Sequence, residues 1–92
     1  MSFLNRLFGN GFDDEKLVDS IRMAVLDDPM ITDPSKLTID SEDGVITLSG
    51  TVEKRMEKAH VESTARDALH YRGLKYERIV DSITIGTKEA VA

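Results

Sequence analysis

A chain of 92 residues and 10.2 kDa has room for one small domain, and 40% hydrophobic with 32% charged residues is a folding composition rather than a disordered one. It has no cysteine, which excludes disulfides, thiolate catalysis and cysteine-ligated metal centres, and no apolar run approaches the ~20 residues that span a bilayer. The formal net charge is −5, with 4 basic and 10 acidic side chains in residues 1–50, so a nucleic-acid partner is disfavoured.

Residues 1–12 read as an apolar arm. Phe3, Leu4, Leu7 and Phe8 fall on one side of a short helix, Gly9-Asn10-Gly11 is a hinge, and Phe12 follows. The arm holds all three phenylalanines of the chain. It has no 7–15-residue apolar segment of the secretory kind, so, unless an upstream segment was removed, a cytoplasmic location is expected, peripheral to the inner membrane if the arm is an anchor.

The body, residues 13–85, opens on Asp13-Asp14-Glu15, suited to a helix N-terminus. Leu17, Ile21, Ala24 and Val25 follow at helical spacing, with Val18 beside them. Asp27-Asp28-Pro29 ends that helix, and residues 29–36 form a loop. Lys36–Asp40 alternates, with Leu37 and Ile39 on one side. Ser41-Glu42-Asp43-Gly44 is turn chemistry, and Val45–Val52 is the return strand, in which Gly50 marks a bulge or a close backbone approach. A second helix is expected from about Lys54 to Tyr71. Its buried stripe is Val61, Ala65, Ala68 and Leu69, with Met56 one turn earlier, and Arg72-Gly73 is its stop. The β-branched segment Arg78–Ile85 is the last strand, and residues 86–92 are a loose tail. The α-β-β-α-β order predicts an α+β sandwich with two helices on one face of a three-stranded mixed sheet.

The run Asp43-Gly44-Val45-Ile46-Thr47-Leu48-Ser49-Gly50-Thr51-Val52 resembles the signature hairpin of the BON domain family (bacterial OsmY and nodulation). Ala24–Pro29, Leu37-Thr38-Ile39, Glu57-Lys58, Val61, Ala65 and Ile79–Ile85 fall at that family's spacing. Asp43, Gly44, Val45, Leu48, Ser49 and Gly50 are the signature positions. The chain departs from the family after the second helix. Lys75-Tyr76 stands where a Gly-Val pair is usual, Val80-Asp81 stands for Val-Asn, and Gly73 comes two residues early, so a reshaped turn is expected. The resemblance implies a non-enzymatic binding module associated with phospholipid surfaces, envelope maintenance and osmotic stress, acting on a membrane or a protein partner.

The candidate contact residues are Phe3, Leu4, Leu7, Phe8 and Phe12 of the arm, and Tyr71, Arg72, Lys75 and Tyr76 of a basic-aromatic cluster. The arm reads as an amphipathic anchor for a membrane interface or a partner's groove. Alternatively it folds back over the open sheet face, expected to be apolar; the cluster alternatively is a solvated loop with one tyrosine packed inward. No catalytic constellation, cofactor motif or metal motif is present. His60 and His70 are ten residues apart on one helix, about 15 Å, and read as surface residues. Asp40, Ser41, Glu42 and Asp43, and separately Asp27, Asp28 and Asp33, offer oxygens for a weak potassium or calcium site, with solvated turns as the alternative. Self-assembly through an open edge strand is a further reading, and the oligomeric state is left open.

Overall fold

The structure, a computed structural model, describes residues 11–86. The arm residues Phe3, Leu4, Leu7 and Phe8 lie outside them, as do residues 87–92. Helix α1 (Asp14–Leu26) starts at the acidic run, where the Asp13 side chain accepts the Lys16 amide at 3.2 Å and so satisfies one of the unpaired N–H groups of the first turn. After Asp27, Asp28 accepts the Met30 amide at 2.9 Å, and Asp33 caps a short 3₁₀ turn at Pro34–Lys36.

Strands β1 (Leu37–Glu42) and β2 (Val45–Val52) pair antiparallel with an unbroken register from Leu37↔Gly50 to Glu42↔Val45. The connection is therefore two residues, Asp43 (φ 52°) and Gly44 (φ 82°), both left-handed, the geometry that matches the twist of a hairpin. Composition alone assigns Ser41 and Glu42 to the turn. They belong instead to β1, because Asp14 holds the Ser41 hydroxyl and both turn amides and lets pairing run to the last residue. No bulge occurs at Gly50, and the close approach is the correct alternative. At φ 116° its Cα faces the backbone of Lys36 and Leu37, so a Cβ there would collide with the Lys36 carbonyl oxygen.

Helix α2 (Arg55–Tyr71) crosses back and leads to β3 (Arg78–Ile85), which pairs parallel to β2. The sheet order is β1-β2-β3, with α1 mainly over β1 and α2 over β3. Two helices on one face of a three-stranded mixed sheet is the predicted architecture. The Gly86 amide donates to the Val52 carbonyl, so Gly86 extends the sheet rather than opening the tail.

The core lies between the layers. Leu17, Ile21 and Val25 of α1 and Val61, Ala65 and Leu69 of α2 are buried on Ile39, Ile46, Leu48, Val52 and Ile83, each large aliphatic side chain contributing about 1.5–3 kcal/mol. Ile31, in the loop after α1, is also buried. Two sequence expectations need correction here. Met56 is 73% exposed, and Glu57 takes its place in the stripe, since 57, 61, 65 and 69 fall on one line of the helix and the Glu57 carboxylate accepts the Thr32 amide at 2.8 Å. The open sheet face is not apolar either. Strand alternation puts Thr38, Thr47, Ser49, Thr51, Ser82 and Thr84 on it, with Val45 and Val80 as its aliphatic members.

Candidate functional site

One end of the molecule gathers residues from four segments. The Phe12 ring packs against Gly44, where a Cβ would come within 2.6 Å of it, so glycine at 44 serves both the turn and the ring. The Lys75 ammonium stands 5.4 Å from the Phe12 ring centroid, within cation–π range, and lies against Gly11. The Glu77 and Arg78 amides donate to the Gly44 carbonyl at 2.7 and 3.3 Å. Beneath them Asp14 accepts from the Ser41 hydroxyl at 2.7 Å, the Asp43 amide at 2.8 Å and the Gly44 amide at 2.9 Å. Burial pushes the Asp14 carboxyl up, but these three donors outweigh it and hold it below the ordinary 3.8.

Helix α2 stops at Arg72, and Gly73 takes φ 66° as its left-handed C-terminal residue. Leu74 and Tyr76 then turn inward onto the core, while Tyr71 is 90% exposed and Arg72 and Lys75 are exposed. The 72–77 turn is thus built around Gly73.

Between the outer faces of α1 and α2 runs an open groove of about 580 Å³. Ser20, Met23 and Ala24 line one side, and Thr64, Ala68 and Tyr71 the other. At its far end Asp28 Oδ2 meets His60 Nε2 at 2.7 Å and accepts the Thr64 hydroxyl at 2.9 Å. Burial raises the Asp28 carboxyl, and the Met30 amide, Thr64 and His60 together hold it lowered overall. The Ser20 hydroxyl, on a residue 2% exposed, has no hydrogen-bond partner among the described residues.

A family profile, described as BON domain, matches residues 13–71, which takes in α1, the signature hairpin and α2. The chain belongs to the BON domain family. No curated protein matches the chain. The BON family is associated with phospholipid binding and with stress proteins, and its domains are non-catalytic binding modules. The match ends at Tyr71, just before the 72–77 turn.

Of the candidate contact residues, the fold brings Phe12 and Lys75 together, with Tyr71 and Arg72 at the close of α2. Tyr76 is packed inward and leaves the exposed set. Among the signature residues, Asp43 and Gly44 make the turn, Leu48 is core, Gly50 meets the β1 backbone, and Val45 and Ser49 stand on the open sheet face. The acidic groups do not form cages. Asp40 and Glu42 alternate away from Ser41 along β1, Asp28 binds His60 and Thr64, and Asp33 accepts from Ser35. No cluster of three or more His, Cys, Asp or Glu side chains suited to a metal occurs among the described residues. His60, expected at the surface, is partly buried against Asp28. The Asp28–His60–Thr64 cluster and the groove escape a reading of the sequence, because they join residues 32 and 36 positions apart; only the one-turn spacing of His60 and Thr64 hints at a shared partner.

Proposed function

We propose that this BON domain is a non-enzymatic module that docks on phospholipid surfaces through the end bearing Phe12, Tyr71, Arg72 and Lys75, with residues 1–10 as an inserted arm. The observation that supports this is the convergence of the arm's root with the basic-aromatic turn: Gly11 and Phe12 lie against Lys75, in the turn that follows Tyr71 and Arg72. An exposed tyrosine suits the interfacial region, where an amphipathic ring has one apolar and one wet side. Arg72 and Lys75 supply phosphate contacts, each worth about 1 kcal/mol near an anionic surface. Of the large exposed hydrophobic residues, Tyr71 stands at this end of the helical layer, while Leu26, Met30 and Met56 stand at the other. No helix among the described residues is long and apolar enough to cross a membrane, and the mode of attachment is peripheral. The acidic residues Asp13, Asp14 and Asp43 near the same end keep the attraction moderate and sensitive to salt.

Vesicle co-sedimentation tests this. The full chain and a chain lacking residues 1–10 are compared on phosphatidylcholine vesicles with and without phosphatidylglycerol. The truncation spares Phe12, which belongs to the folded body. The expected result is at least tenfold weaker pelleting of the truncated chain, which still folds, and a smaller loss for Arg72→Ser with Lys75→Ser on the anionic vesicles alone. Equal pelleting of both chains, or pelleting of neither, overturns the reading.

A further inference from the structure

We propose that the groove between α1 and α2 is the seat of the chain's own residues 1–10 when the arm is not engaged elsewhere. The groove leaves apolar side chains open to water on both of its walls. Met23 is 57% exposed and Tyr71 90% exposed, and Ala24 and Ala68 between them make the concavity. The arm offers matching chemistry: the spacing of Phe3, Leu4, Leu7 and Phe8 would put all four on one side if these residues took up a helix.

Reach and charge agree with this occupant. Ser20 lies six residues into α1, about 9 Å from its start, and Asp28 about 12 Å further along. Ten residues span up to ~33 Å extended or ~15 Å as a helix, so an arm that leaves at Gly11 and doubles back reaches Ser20 and Ala24 as a helix and the Asp28 end when extended. Asp27 and Asp67 stand on the groove's two walls, with Arg72 the one arginine or lysine of its lining, so acidic groups predominate there, and the sole charged side chain of residues 1–10 is Arg6. The hydroxyl-rich sheet face offers no such match for phenylalanine and leucine.

The experiment uses the full chain without lipid. The chain has no cysteine, so Ser2→Cys gives a single site for a nitroxide, whose effect on amide signals falls off with distance. The expected result is loss of more than half the signal at Ala24 and Ala68, with Ser49 and Ser82 on the opposite sheet face retained. Arg6→Glu should at least halve the effect. Broadening at Ser49 and Ser82 instead, uniform weak broadening, or an effect seen only between separate molecules in a mixed sample would overturn the assignment, as would a pattern indifferent to Arg6→Glu. The seat does not depend on the membrane reading: vesicle binding with no groove contact would sink the seat alone, and groove contact without vesicle binding would sink the membrane reading alone.

Discussion

Removing the Asp14 carboxylate takes away three acceptor contacts at once, those to Ser41, Asp43 and Gly44. Asp14→Ala is expected to cost about 2–3 kcal/mol, a Tm loss of roughly 10 °C or more for a domain of this size. Asp13→Ala, which loses only a helix cap, should cost about 1 kcal/mol. The glycines separate in the same way. Gly73 at φ 66° has open space around it, so Gly73→Ala carries only the left-handed strain of about 1–2 kcal/mol. Gly50→Ala adds a collision with the Lys36 backbone that no side-chain movement relieves, and a loss of about 4 kcal/mol or failure to fold is expected. Chemical denaturation of the two variants side by side checks the order. At this scale the sequence is readable where the signal is local. Asp43-Gly44 announces its turn, and Gly50 its close approach, but Asp14 gives no sign of its partners because they lie 27 to 30 positions away.

Among the elements, the loop after α1 depends on α2 for its shape. Glu57 accepts the Thr32 amide, while Asp28 is gripped by His60 and Thr64. Glu57→Ala should speed hydrogen exchange of the Thr32 amide about tenfold or more, while amides in the centre of β2 keep most of their protection; a uniform loss across β2 would instead make Glu57 part of the global core. The strands and both helices are legible in the sequence, since alternation and 3.6-residue spacing are properties of neighbouring residues. The stripe of α2 misleads at its first turn for a definite reason. Hydrophobicity points to Met56, but register points to Glu57, and a buried carboxylate is tolerable only with a partner that the local sequence does not reveal. The groove is illegible on similar grounds, being a product of how two helices sit together.

For the molecule as a whole, acid is the expected weak point. Asp14, Asp28 and Asp81 are all held below the ordinary 3.8, each raised by burial but lowered more by its donors, which for Asp81 are Lys58 and the Ile83 amide. The folded state therefore binds these protons less readily than the unfolded chain. Their contribution is present in full above the ordinary carboxyl range and drains away as pH falls from about 4 through the lowered values. Tm measured from pH 7 to pH 2.5 should drop on that acid limb, and Asp14→Asn should flatten it. Asp81 also carries a consequence for topology. The β1–β2 register is dictated by a two-residue turn, whereas β3 arrives after a long helix and is indexed against β2 by contacts distant in sequence, among them the Glu77 and Arg78 amides on the Gly44 carbonyl. A slip of one residue would throw Asp81 out to the open face and strand the Lys58 ammonium, which now spans Asp81 at 2.8 Å and the Ile83 carbonyl at 2.9 Å. The ion pair thus adds to the buried Ile83 in fixing the alignment of this edge strand, and a Lys58→Ala variant, which leaves Asp81 on the inner face without its partner, should keep its helices while the β3 amides lose hydrogen-exchange protection before those of β2.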